Sequence, residues 1–256
     1  MSTVHTAAAT GFGAAADIYA NSRPDYPAAL DAWLTDALHL GLGKTVLDLG
    51  AGTGKFTPRL IGTGANVIAV EPVAAMRQRL MHDLPQVRTL VGTAESIPLP
   101  DASLDAVVCA QAFHWFATPA ALAEIHRVLK PGGRLGLVWN VRDLSVPWVA
   151  AIDALLRPYE GDAPRFISGA WQKVFPAPGF SPLTESRFPH GHTGAPEQVI
   201  VGRQLSVSFI AALPADEQAK LAARVREIIA GTPDLAGKSE VTFPYLTHAY
   251  AATRLP

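Results

Sequence analysis

Cysteine is nearly absent from this chain of 256 residues, because Cys109 is the only one it contains. A single thiol excludes an internal disulfide, so the sequence favours a reducing, cytoplasmic location. A large charge of either sign is also absent, since the formal net charge is −1, and this disfavours nucleic acid as a partner. No apolar run is long enough to span a membrane, and the opening residues lack the charged and apolar regions of a signal peptide.

What the chain does contain is typical of a globular enzyme. Apolar residues make up 49% of it and charged residues 17%. The length suffices for one large domain with a sizeable core. We therefore expect a soluble protein that acts on a small molecule and has no membrane partner, while nothing in the sequence indicates its oligomeric state.

Apolar segments of strand length alternate with helical segments over the first half of the chain. The predicted strands cover residues 45–49, 67–71, 87–91, 104–110 and 134–139. The predicted helices cover residues 28–39, 55–61, 73–83 and 119–129. This alternation predicts an α/β fold with a doubly wound, mostly parallel sheet, because parallel strands need crossover helices between them.

The alternation stops after residue 140. Strands at 180–188 and 238–245 are predicted to pair antiparallel and to complete a seven-stranded sheet. The segments 142–177 and 190–231 are then left to form a small helical cap beside the ligand cleft.

These elements divide one structural domain into three parts. An N-terminal helical arm covers residues 1–43, a ligand-binding core covers 44–140, and residues 141–256 hold the last strands and the cap. Prolines interrupt the arm, which we expect to act as a lid over the cleft. The arm carries three side chains able to contact a carboxylate, Tyr19, Arg23 and Tyr26.

One motif, at residues 46–57, carries most of the functional information. An apolar strand ends there in Asp48 and runs into three closely spaced glycines, Gly50, Gly52 and Gly54. Glycine has no Cβ, so such a loop bends tightly and lies close to a ligand. A second apolar run ends in Glu71, and an acid at the tip of the neighbouring strand can accept ribose hydroxyls. The two motifs together predict a nucleoside-containing ligand at the carboxyl edge of the sheet.

The spacing of the glycines disfavours two phosphate-binding motifs. A dinucleotide fingerprint requires glycine where Lys55 stands. A P-loop requires glycine and a hydroxyl where Leu49 and Phe56 stand. The pattern Asp-x-Gly-x-Gly-x-Gly instead resembles the first motif of the class I S-adenosylmethionine-dependent methyltransferases, whose cofactor has no pyrophosphate.

Further segments resemble the same family in the expected order. Residues 93–101 resemble its adenine-binding loop, residues 103–108 its fourth strand, and residues 124–133 its helix-to-strand corner. Residues 22–27 and 112–116 are similar to the small-molecule branch that includes trans-aconitate-type methyltransferases. The resemblance covers about half of the chain.

The resemblance implies S-adenosyl-L-methionine as cofactor and methyl transfer to a small organic acceptor, at a carboxylate, hydroxyl, amine or activated carbon. Asp48 would order the loop and the cofactor's ammonium, Glu71 would hold the ribose, and Gln111 would lie near the methionine tail. The full set of implied cofactor-binding residues is Tyr19, Arg23, Asp48, Gly50, Ala51, Gly52, Thr53, Gly54, Glu71, Pro72, Met76, Thr93, Ala94, Glu95 and Gln111.

One of these positions departs from the family. Many relatives carry Asp where Thr93 stands, and that carboxylate accepts the adenine amino group. The Thr93 hydroxyl accepts more weakly and without charge, so backbone groups at Ala94 would complete the contact.

His114 and Trp115 are the candidate catalytic residues on the acceptor side, because they follow the fourth strand at the carboxyl edge of the sheet. His190 and His192 lack a nearby third ligand, so we expect no metal site. Two alternatives remain open: a nucleotide-dependent oxidoreductase and a non-catalytic protein that binds the cofactor.

Overall fold

A seven-stranded sheet runs through the computed structural model, which describes residues 24–161 and 164–256. The strands are β1 (Thr45–Leu49), β2 (Asn66–Val70), β3 (Arg88–Leu90), β4 (Leu104–Ala110), β5 (Leu129–Arg142), β6 (Thr184–Gly194) and β7 (Val241–Thr253). Their order across the sheet is β3-β2-β1-β4-β5-β7-β6. The first five pair in parallel, whereas β7 is antiparallel to both β5 and β6. The predicted mostly parallel sheet with an antiparallel last pair is confirmed.

Helices connect the strands and cover both faces of the sheet. They are α1 (Ala29–Asp36), α2 (Thr57–Gly62), α3 (Ala74–Asp83), α4 (Pro119–Val128), α5 (Pro147–Leu156), α6 (Arg203–Leu205), α7 (Ser208–Ala211) and α8 (Ala215–Gly231). The start of α4 shows how the sequence determines where a helix begins. Thr118 accepts a hydrogen bond from the backbone N–H of Ala121 at 3.1 Å, and Pro119 occupies the first turn, where no N–H is needed.

Two apolar cores hold the helices on the sheet. Side chains of β1 alternate between them, so that Val46 enters the core formed with α1 and α2, and Leu47 enters the core formed with α4. A strand that is buried on both faces reads as a continuous apolar run, which is why the sequence revealed β1 and β4 so clearly.

The strand order places a cleft at the centre of the sheet. The chain leaves β1 towards β2 on one side, and β4 lies on the other side of β1. Ligands in open α/β sheets bind at this switch point, outside the carboxyl ends of the strands. The fold thus brings the loops after β1, β2 and β4 to one edge.

The later strands differ from their predicted bounds. β6 spans Thr184–Gly194 rather than 180–188, and β7 spans Val241–Thr253 rather than 238–245. Because β5, β6 and β7 form one long ladder, their lengths are set by partners distant in sequence. His190 to Gly194 therefore belong to the sheet, and their prediction as part of the cap was wrong.

The remaining cap has a small core of its own. Residues of α5, of a π-helical turn at Glu197–Gly202 and of α8 pack against the beginning of β7, where Phe243 is fully buried. Among the described residues, no helix is both long enough and apolar enough to cross a membrane.

Candidate active site

A pocket opens at the carboxyl edge of β1, β2 and β4. Twelve of the fifteen predicted cofactor residues line it: Asp48, Gly50, Ala51, Gly52, Thr53, Glu71, Pro72, Met76, Thr93, Ala94, Glu95 and Gln111. Tyr19 and Arg23 lie outside the described residues. Gly54 does not belong to the lining of this pocket.

The glycine loop requires the backbone freedom that its sequence supplies. Gly50, Gly52 and Gly54 have φ values of +71°, +60° and +83°, in the region that favours glycine. A Cβ on Gly50 would lie 2.9 Å from the Cβ of Ala112, so the loop packs directly on the segment after β4. A Cβ on Gly54 would instead meet Leu80 at 3.1 Å. Gly54 therefore serves helix packing rather than the predicted ligand contact.

Asp48 is a buried acid with one unused oxygen. Only 1% of the residue is exposed, and its Oδ2 accepts a hydrogen bond from Thr57 Oγ1 at 2.7 Å. Its Oδ1 is buried and has no hydrogen-bond partner among residues 24–161 and 164–256. Burial raises the pKa of Asp48 to about 7, against the lowering effect of Thr57 and with a further increase from the charge of Glu71. A cation or donor in the pocket would satisfy this oxygen and favour the ionised form.

Glu71 ties the glycine loop to the segment after β2. Its Oε2 accepts from the backbone N–H of Gly52 and its Oε1 from that of Val73, both at 2.8 Å. The residue is 4% exposed, and burial raises its pKa although the two backbone hydrogen bonds oppose this. Each carboxylate oxygen can still accept a second hydrogen bond from a ligand.

The segment after β3 forms another wall of the pocket. Thr93 and Ser96 exchange backbone hydrogen bonds at 3.3 and 3.2 Å, which holds a tight turn. Ala94 within this turn is 4% exposed. The turn presents backbone and side-chain groups of Thr93, Ala94 and Glu95 to the pocket.

Gln111 follows β4 in a strained conformation. Its φ is +57°, which is uncommon for a residue with a side chain and recurs at functional sites. The backbone N–H of Gln111 donates to Val138 O at 2.8 Å, and Nε2 donates to Asn140 O at 3.0 Å. Two bonds to β5 therefore hold Gln111 at the mouth of the pocket.

The two predicted catalytic residues occupy different places. Trp115 lines the pocket, whereas His114 does not. Trp139 Nε1 donates to His114 Nδ1 at 3.0 Å. A neutral imidazole that accepts at Nδ1 carries its proton on Nε2, so in this tautomer His114 does not act as a base through Nε2.

Several lining residues were missed by the sequence analysis. They are Pro24, Leu49, Lys55, Phe56, Val70, Val73, Gly92, Ala110, Ala112, Phe116, Asn140 and Arg203. Lys55 and Phe56 follow the glycines directly, so their position was a usable signal. Arg203 lies in the cap, where no motif marks it. Tyr26, predicted for the arm, also lines the pocket and packs edge-on against Phe56 with ring centroids 4.7 Å apart.

Trp171 and Cys109 lie in the core of the protein and not in the lining of the pocket. Trp171 is 2% exposed and packs against Trp139 with ring centroids 4.6 Å apart, so it belongs to the core. Cys109 is fully buried in β4 and also belongs to the core. Across residues 24–161 and 164–256, no cluster of three His, Cys, Asp or Glu side chains could hold a metal ion.

Comparison with known proteins extends these findings over nearly the whole chain. A family model described as a methyltransferase domain matches residues 47–137. An uncharacterized methyltransferase-like protein of Schizosaccharomyces pombe is 41% identical over 93% of this chain and 93% of its own length. An uncharacterized methyltransferase of Mycobacterium tuberculosis is 40% identical over 94% of this chain and 95% of its own. A solved structure from Anaeromyxobacter dehalogenans, named provisionally as a type II methyltransferase, has a TM-score of 0.64 at 27% identity and covers 91% of this chain and 99% of its own.

Proposed function

The chain belongs to the class I S-adenosylmethionine-dependent methyltransferases, and on that premise we propose that it methylates a small organic acceptor bound beside Gln111 and Trp115. The enzyme is a methyltransferase and S-adenosyl-L-methionine is its cofactor. The family therefore takes the place of the two alternative functions that the sequence had left open, a nucleotide-dependent oxidoreductase and a non-catalytic cofactor-binding protein.

The pocket suits this cofactor in charge and in shape. The orphaned Oδ1 of Asp48 offers a buried acceptor to a cationic group, and the Glu71 carboxylate offers acceptors to a ribose. A Cβ built on Gly52 would approach only Met76 Sδ, at 3.8 Å, so a ligand can lie close to the backbone there. These three features support binding of the amino-acid tail and ribose along the first two strand tips.

The acceptor would lie on the far side of this cofactor site. Gln111 is fixed by β5, Trp115 lines the same pocket, and Arg203 lines it from the cap. This continuity between the cofactor wall and the cap is the observation that carries the proposal, since both reactants need to meet in one water-poor space. The cap at the end of the pocket would select the acceptor.

When bound, the cofactor supplies an electrophilic methyl group on a sulfonium. The protein's part is then to align the acceptor and to exclude water. The Trp115 ring can attract the positive charge, an interaction worth about 0.5–2 kcal/mol. A carboxylate acceptor would need no base, whereas a phenol or amine would need a group to take its proton.

Binding and turnover test this proposal directly. S-adenosylmethionine and S-adenosylhomocysteine should raise the melting temperature, by an amount that grows with ligand concentration above Kd, and NAD or NADP should not. Methyl-labelled cofactor should then label a small acceptor from a panel of carboxylic acids, phenols and amines. Transfer only to a protein or nucleic-acid acceptor would exclude the small-molecule assignment.

A further inference from the structure

Arg203 is a buried cation for which the described residues supply no ion pair. It begins α6 in the cap, is 7% exposed and lines the pocket. Its Nε and Nη1 are buried, and neither makes a hydrogen bond within the described part of the chain. A buried guanidinium is costly unless an anion or hydrogen-bond acceptors compensate it.

The neighbouring sheet surface presents further unused polar atoms. Arg142 of β5, Tyr245 of β7 and His190 of β6 lie in one register across three adjacent strands. Each has one buried polar atom that makes no hydrogen bond to another described residue: Arg142 Nε, the Tyr245 hydroxyl and His190 Nε2. Buried polar groups in native proteins are normally satisfied, so a cluster of exceptions indicates a missing ligand or solvent.

Other basic side chains lie near Arg203. Burial lowers the pKa of Arg142 to about 10, and the charge of Arg203 lowers it further. Burial also lowers the pKa of His192, followed by the charges of Arg203 and Lys55. The charge of Arg203 thus acts on both Arg142 and His192, so Arg203 lies near these two side chains.

The nearby carboxylates are already engaged by other groups. Asp153 lies 2.9 Å from Arg142, 3.3 Å from Arg157 and 3.9 Å from Arg165, so three guanidiniums share its single charge. Glu160 pairs with Arg165. The carboxylate of Asp25 lies 3.9 Å from Arg59. Burial lowers the pKa of His190, and a backbone hydrogen bond and the charge of Asp25 oppose this. None of the ion pairs found within residues 24–161 and 164–256 includes Arg203.

Acids and cations therefore line the pocket from different elements. Asp48 and Glu71 line it from the tips of β1 and β2, and Arg203 lines it from the cap. Lys55 follows the glycine loop, and its charge, like that of Arg203, acts on His192. On the basis of the function proposed above, we propose that Arg203 binds a carboxylate of the methyl acceptor, with Lys55 adding a second positive charge. A planar guanidinium matches a carboxylate in shape and in hydrogen-bond donors, whereas a neutral acceptor would leave its charge unpaired.

The first test uses the protein saturated with S-adenosylhomocysteine. Small aliphatic and aromatic carboxylic acids are compared with their primary amides and with the matching phosphonates by thermal shift and equilibrium titration. At least one acid should stabilise the wild-type protein, and its amide should not. Absence of a response to every acid, or a response to phosphonates alone, overturns the carboxylate assignment.

Variants at Arg203 separate binding from structure. Arg203→Met should weaken the binding of the responding acid at least about tenfold and leave the affinity for S-adenosylhomocysteine within about threefold. Arg203→Lys should retain part of the acid binding. Arg224→Met, on the exposed face of α8, is the matched control and should change neither. Equal acid affinity in wild type and Arg203→Met contradicts the proposal.

The stability of Arg203→Met without a bound carboxylic acid is a second, independent test of the proposal. Because Arg203→Met removes a buried unpaired charge, it should raise the melting temperature of the acid-free protein, whereas removal of a structural arginine would lower it. A lower melting temperature would therefore assign Arg203 to structure. Failure of S-adenosylhomocysteine to bind the wild type would refute the proposed function, whereas normal binding with no acid response would refute the anion site alone.

Discussion

Glu71 Oε2 accepts a hydrogen bond from the backbone N–H of Gly52 at 2.8 Å, which joins the tip of β2 to the glycine loop after β1. The same carboxylate holds Val73 at the start of the next helix. Glu71 is thus part of the scaffold of the pocket as well as a candidate ligand of the ribose. Its dual position makes its replacement more disruptive than loss of a ligand contact alone.

Glu71→Ala is expected to lower both cofactor affinity and stability. Loss of charge-assisted hydrogen-bond acceptors should weaken the binding of S-adenosylhomocysteine about 10- to 100-fold. The freed N–H groups of Gly52 and Val73 should cost about 1–3 kcal/mol of unfolding free energy. Calorimetric titration and chemical denaturation measure the two effects, with exposed Glu227→Ala as control. Normal affinity in a destabilised Glu71→Ala protein would assign the residue to the scaffold only.

The Asp48 carboxyl predicts a pH dependence of stability. Its pKa is about 7 in the folded protein, against an ordinary value of 3.8, so between these pH values the folded state binds a proton that the unfolded state does not. Its contribution to stability is therefore full below about pH 4 and is lost as the pH rises through about 7, with a slope of up to about 1.4 kcal/mol per pH unit. Burial also raises the pKa of Glu71, so Glu71 adds a pH dependence of the same sign. The quantity to measure is therefore the difference in unfolding free energy between wild type and Asp48→Asn at each pH. Parallel curves for the two proteins would show that Asp48 is ionised throughout.

Cofactor affinity should rise with pH, opposite to the stability, because of the same Asp48 carboxyl. A cationic ligand beside Asp48 favours its ionised form, so affinity for S-adenosylmethionine should rise between about pH 6 and 8 in the wild type. Asp48→Asn should bind more weakly and lose this rise. Titration calorimetry in buffers of different ionisation enthalpy measures the proton released, and no release near neutrality would contradict the prediction.

Gly50→Ala should weaken cofactor binding more than the addition of one methyl group suggests. A methyl group at Gly50 meets Ala112 at 2.9 Å and the residue has φ +71°, so the loop must shift. We expect at least about a tenfold loss of affinity. Gly62→Ala is the matched control, because nothing lies within 4 Å of a Cβ there and the residue ends α2. Similar affinities in the two variants would show that the loop tolerates a side chain.

His114→Ala should cut turnover at least about tenfold and keep cofactor affinity within about threefold. It should also lower stability by about 1–3 kcal/mol, because Trp139 Nε1 loses its acceptor. His114→Asn supplies an acceptor oxygen near the position of Nδ1 and should restore stability and most of the turnover if His114 positions Trp139 and its neighbours. Restored stability without turnover would instead place the imidazole in the chemistry.

Much of the cofactor wall was predictable from the sequence. Asp48 and Glu71 each end an apolar run, and Gly50 and Gly52 occupy a loop that needs positive φ. These features depend on residues close in sequence, so a local pattern encodes them. The mostly parallel sheet followed from the alternation of strands and helices for the same reason.

The acceptor side was decided by tertiary structure. Arg203 reaches the pocket from the cap, more than one hundred residues after the glycine loop. His114 turns to Trp139 instead of the pocket because a buried indole needs an acceptor. Likewise, β6 and β7 extend beyond their predicted bounds because their lengths depend on pairing with β5. The sequence by itself determined the fold class, the cofactor motif and the methyltransferase family, since each is written in short-range patterns. Only the tertiary structure decided which distant side chains share the pocket, because packing between elements, and not spacing within one, brings them together.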